Sequence, residues 1–97
     1  MERLCFVITL RPGGESLYDE LHQNMSEETR ATLAQCGFSD YTIFRHENTV
    51  IGYALCDPDV DTVLARQDAT RGDEPSPLGS WIQGPLVRVS QVWRLEA

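Results

Sequence analysis

Apolar residues along this chain change their spacing several times, and each change marks an expected element. From Leu4 to Leu10 they are nearly continuous, which predicts a first strand with apolar residues on both faces. Arg11-Pro12-Gly13-Gly14 ends it, because proline and glycine favour a turn. From Glu15 to Cys36 the spacing becomes helical. Leu17, Leu21 and Met25 recur every fourth residue and are expected to hold the core-facing stripe. Ser26-Glu27-Glu28 has the form of a fresh N-cap with acids in its first turn, so the helix should break or kink there. Gly37 is a natural helix stop.

The second half switches period again. Phe38 to His46 alternates Tyr41, Ile43 and Arg45 against Thr42, Phe44 and His46, which predicts a second strand. Glu47-Asn48 fits a tight turn into a third strand, Thr49 to Cys56, paired antiparallel with the second. Asp57-Pro58-Asp59 opens a helix carrying Val60, Val63 and Leu64. The stretch from Arg71 to Gly79 is polar and rich in glycine and proline, and reads as a loop. Ser76-Pro77 could cap a short helix through Trp81 and Ile82, stopped by Gly84-Pro85. Leu86 to Leu95 is the expected last strand.

The order β-α-β-β-α-β is the ferredoxin-like, split βαβ pattern of an α+β fold. Both helices should then cover one face of a four-stranded sheet. The other face would meet water although its residues are apolar too. A patch of that kind marks a partner surface. The expectation is a homodimer in which two sheets, or a sheet and an extended segment, pack together.

The 97 residues make one domain, 1–97, and 41% hydrophobic content excludes a disordered chain. Net charge is −7, and all eight basic residues are Arg. Neither nucleic acid nor an anionic membrane surface suits such a chain, since both require phosphate neutralisation by clustered cations. The longest apolar run is far too short to span a bilayer. Glu2 stands where a secretory leader would be basic, so the expected location is cytoplasmic. Cys5, Cys36 and Cys56 are odd in number and widely spaced, which argues for reduced, packed thiols rather than a disulfide or zinc motif.

The chemistry concentrates on few residues. Tyr18 and His22 lie four apart and share a helix face at the edge of the expected stripe. An imidazole titrates near neutral pH and moves protons, while a phenol can hold a substrate hydroxyl. Tyr41 reaches this pair only if its side of the strand faces the first helix. Trp81, between Gly79 and Gly84, could lie over a ligand or plug the core. His46 sits beside the hairpin turn and reads as solvated, and Trp93 reads as a core or dimer contact. Asp57, Asp59, Asp61 and Asp68 imitate a calcium loop, but Thr62 stands where glycine is needed and a strand precedes the run. Helix capping explains those acids better.

Phe6-Val7 followed by Arg11-Pro12, then Tyr18-x-x-x-His22, then Gly37-Phe38-Ser39-Asp40-Tyr41-Thr42-Ile43-Phe44, resembles the L-rhamnose mutarotase family. The resemblance covers most of the chain. It implies a dimeric α+β barrel and a cofactor-independent isomerase that interconverts the α and β anomers of L-rhamnose or a related deoxysugar. It puts the proton-donating histidine on His22, sugar-contacting tyrosines on Tyr18 and Tyr41, and a stacking tryptophan on Trp81. No metal or organic cofactor is implied. Two other readings fit the same barrel: a non-catalytic ligand-binding or assembly domain, and another cofactor-free enzyme.

Overall fold

The computed structural model describes residues 1–71 and 79–96. Strand β1 (Glu2–Leu10) is followed by helices α1 (Glu15–Gln23) and α2 (Glu27–Cys36). Strands β2 (Phe38–His46) and β3 (Thr49–Cys56) form a hairpin, helix α3 (Val60–Arg71) crosses back, and β4 (Ile82–Arg88) closes the sheet. The sheet order is β2-β3-β1-β4, with every neighbouring pair antiparallel. This is the expected ferredoxin-like α+β arrangement, with the first helical segment divided in two.

Strand alternation decides what is covered. Leu4, Phe6, Ile8 and Leu10 of β1 and Val50, Ala54 and Cys56 of β3 are buried on one face. Tyr18, Cys36, Val60 and Val63 from the three helices pack into the same core. Fully burying a side chain of valine or leucine size contributes about 1.5–3 kcal/mol, so this single layer holds the domain together.

Local signals set the helix ends. Ser26 Oγ accepts from the Thr29 amide at 3.1 Å, which starts α2 where the sequence placed a break. Gly37 ends α2 at φ +114°, and a Cβ there would sit 2.3 Å from the Asp57 carbonyl. The Asp57 amide donates to the Gly37 carbonyl at 3.0 Å, so the close approach ties two connections together. Asp59 Oδ1 accepts from Thr62 and Glu2 Oε1 from Val60, both at 2.8 Å, which caps α3.

Four expectations change. The stripe Leu17–Leu21–Met25 does not hold the core: Tyr18 is the buried residue of α1, and Leu21 is exposed. A helix this short touches the sheet along a narrow line, and its rotation gives that line to the larger aromatic ring. The last strand is Ile82–Arg88 rather than Leu86–Leu95. Gly84-Pro85 lies inside it, because β4 is an edge strand where a missing N–H leaves no ladder bond unmade. Gly84 has φ +77°, and the register slips so that Gly84, Pro85 and Leu86 together oppose Ile8. Finally, Trp93 is three-quarters exposed and is no core residue, and the short helix is a single 3-10 turn, Gly79–Trp81. Ser76-Pro77 and most of the loop expected from Arg71 to Gly79 lie outside the described residues.

Candidate active site

Helix α1 brings Tyr18 and His22 together as their spacing predicts. Their rings stack with centroids 4.2 Å apart and planes inclined by 26°. His22 Nδ1 lies 2.8 Å from the Tyr18 carbonyl oxygen. A carbonyl oxygen only accepts, so Nδ1 carries the proton and donates it. With Nδ1 so engaged, Nε2 is the ring nitrogen left for proton transfer.

A bulge in β2 turns Tyr41 toward the same side of the sheet, where its charge acts on the Tyr18 phenol. Ser39 pairs with Leu55 and Thr42 with Tyr53, so Asp40 and Tyr41 together oppose Ala54. Asp40 takes φ +48° to make room for the extra residue. Strict alternation would put Phe38 and Tyr41 on opposite faces. The bulge returns Tyr41 to the helix-covered side, with its ring centroid 5.0 Å from that of Phe38. The Phe6 ring meets Tyr41 edge-on at 6.3 Å. Phe6 reaches it by lying across Gly52, where a Cβ would come within 2.1 Å of the ring.

Burial pushes the Tyr18 phenol up to about 12, with smaller contributions from the neighbouring Tyr41 and Asp19. Burial also raises the Tyr41 phenol, against the opposing charge of Arg71. Both therefore stay neutral at physiological pH and act as hydroxyl donors and acceptors.

Trp81 stands apart from this group. Its carbonyl accepts from the Arg11 amide at 2.7 Å, and its indole lies over Gly13 and Gly14. A Cβ on Gly14 would approach it to 3.1 Å. Trp81 thus borders α1 one turn before Tyr18, since the Tyr18 amide donates to the Gly14 carbonyl. Among the described residues no ring contact joins it to Tyr18, His22 or Tyr41. His46 is exposed on the opposite face from Tyr41. A groove of about 380 Å³ between Cys5, Tyr53 and Trp93 also opens on that far side.

One feature beside the site escaped the sequence. Arg45 Nε and Nη2 donate to the two oxygens of Asp19 at 2.7 and 2.6 Å, a two-pronged ion pair between β2 and α1. The Arg45 hydrogen bond holds the Asp19 carboxyl below its usual range. The only available signal was alternation, which puts a cation beside Tyr41 and Ile43 on the covered side. Its partner lies 26 residues away, beyond any local pattern. Among the described residues, no three His, Cys, Asp or Glu side chains converge as a metal site would need.

A family model described as L-rhamnose mutarotase matches residues 3–76. A curated L-rhamnose mutarotase from Bacteroides thetaiotaomicron is 37% identical over 55 residues, which cover 57% of this chain and 53% of that protein. The chain thus matches about half the length of that relative. The crystal structure of an L-rhamnose mutarotase from Formosa agariphila superposes with a TM-score of 0.67 at 25% identity, over 99% of this chain and all of that one. A dimeric ferredoxin-like protein from an uncultured marine organism has a TM-score of 0.58 at 11% identity, covering 98% of this chain and 97% of its own. That likeness is one of fold.

Proposed function

The chain belongs to the L-rhamnose mutarotase family, and we propose that it interconverts the α and β anomers of L-rhamnose or a related deoxysugar. The observation that carries this reading is the Nδ1–carbonyl bond of His22, which frees Nε2 for proton exchange in a ring stacked on the neutral Tyr18 phenol, with Tyr41 on the same covered side of the sheet. Nε2 takes the proton of the anomeric hydroxyl and returns it to the ring oxygen as the bond from C1 to that oxygen breaks. The open-chain aldehyde turns about C1–C2. Closure on the opposite face reverses both transfers. Tyr18 and Tyr41 orient sugar hydroxyls, and Trp81 covers an apolar face of the sugar from the N-terminal end of α1. The reaction also runs slowly in water. General acid–base help of about 10²–10⁴-fold is enough, and these residues need no cofactor to supply it.

The working form in this reading is a homodimer. Phe44, Ile51 and Val87 lie exposed on the open face of the sheet, and Val92, Trp93 and Leu95 follow β4 with little cover. Apolar surface of this extent favours a second copy over water. The three free thiols suit a cytoplasmic setting, and no described helix is long and apolar enough to cross a membrane.

The test is anomer exchange by NMR saturation transfer at neutral pH, with L-rhamnose and L-fucose. Wild type should exceed the buffer rate, and His22→Ala should fall by about 10²–10⁴-fold toward it. Sugar binding without exchange would instead identify a binding module on the same fold. Sedimentation at micromolar concentration should show a dimer, and a monomer there would remove the assembly reading.

A further inference from the structure

Helix α1 carries the proposed catalytic pair, yet the fold holds it lightly. It has nine residues, and a helix that short is not stable alone in water. Its one buried residue is Tyr18. That ring, with the Trp81 indole over Gly13 and Gly14 at the start of the helix, fixes where α1 sits but leaves its roll to a further contact.

That contact is made by Asp19, the residue after Tyr18, gripped by both prongs of Arg45. Arg45 is itself held. Its Nη1 donates to the Glu47 carbonyl at 2.6 Å, within the β2–β3 turn. That turn is pinned to the end of β1, because the Leu10 amide donates to the Asn48 carbonyl at 2.7 Å and Asn48 Nδ2 donates to the Leu10 carbonyl. A continuous path of short hydrogen bonds therefore runs from the sheet, through Arg45, to α1.

We propose that the Asp19–Arg45 pair is a positioning clamp that sets the roll of α1 and so aims His22 Nε2 at the substrate. Both residues act through the helix, since the two carboxylate oxygens of Asp19 are engaged by Arg45. The effect on rate rests on the mutarotase reading, whereas the effect on helix placement does not. Exposed ion pairs add little to stability, so the clamp matters through geometry. Small misplacements of a catalytic group cost up to about 10²-fold in rate.

The test compares wild type with Asp19→Asn, Arg45→Met and Arg45→Lys in the full chain. Exchange kinetics and amide hydrogen exchange are both measured. Asn and Met should lower kcat by roughly 10–100-fold with KM within about twofold, at an unchanged melting temperature. Amides of α1 should exchange faster while those of β1 and β3 hold. Lys keeps the charge but lacks the planar fork, so it should not restore kcat. Full kcat in Arg45→Lys, or wild-type kcat in both other variants, overturns the clamp and leaves the mutarotase intact. If wild type accelerates no sugar, the activity reading fails. The clamp is then decided by hydrogen exchange, and unchanged α1 amides overturn it.

Discussion

The two faces of the sheet are built from the same kinds of residue and meet opposite fates. On the helix side, Leu4, Phe6, Val50 and Ala54 are almost fully buried, and the proposed site grows out of that layer through Tyr18 and Tyr41. On the other side, Phe44 remains 63% exposed and Ile51 41% exposed, with no helix over them. Apolar residues at successive strand positions make both faces apolar, and three short helices suffice to cover only one. The covered face therefore carries the fold and the proposed site, while the open face is the surface that the proposed homodimer would cover.

The sharpest way to break the comparison is Gly52→Val. The added carbons would invade the Phe6 ring and push it against Tyr41, so the covered face should lose about 3 kcal/mol or more by thermal melting. An unchanged melting temperature would mean that the Phe6–Gly52 contact is slack.

Next comes alkaline pH. The Tyr18 phenol is raised from 10.0 to about 12, so between those values the unfolded chain has lost a proton that the folded chain keeps. Stability is fully present below pH 10 and falls as pH rises toward 12, by about 2–3 kcal/mol at roughly 1.36 kcal/mol per unit. Urea titrations across this range should show the fall, and Tyr18→Phe should flatten much of it. An equal fall in Tyr18→Phe would assign the effect elsewhere.

On the open face, Phe44→Asp should weaken self-association at least about tenfold, equivalent to 1.4 kcal/mol, in sedimentation. Melting of the isolated monomer should move by no more than about 0.5 kcal/mol, as for other surface substitutions. Equal damage to fold and association would erase the distinction between the faces. The smallest change is Tyr41→Phe, which keeps the ring packing and removes one hydroxyl. It should raise the KM for the sugar by roughly threefold to tenfold, the worth of one hydrogen bond, without altering melting.

Much of this was legible in the chain. The hairpin from Phe38 to Cys56, the break at Ser26, the stop at Gly37 and the Tyr18–His22 pairing follow from local periods and caps. The last strand begins earlier than its sequence suggests, because Gly84-Pro85 reads as a terminator and an edge strand tolerates what a central one cannot. Four-residue spacing points to Leu17, Leu21 and Met25 as the helical stripe, whereas the rotation of α1 against the sheet buries Tyr18 and leaves Leu21 exposed.

Composition and spacing alone determined the order of elements, the apolar character of both sheet faces, and the stacked Tyr–His pair, since each depends on neighbours within a few residues. Three things waited for the tertiary structure. The bulge at Asp40–Tyr41 turns one phenol to the covered side, Gly52 lets Phe6 support it, and Arg45 finds Asp19 across the helix–sheet seam. Each joins residues distant in the chain, and such contacts arise only once chain packing has brought their elements side by side.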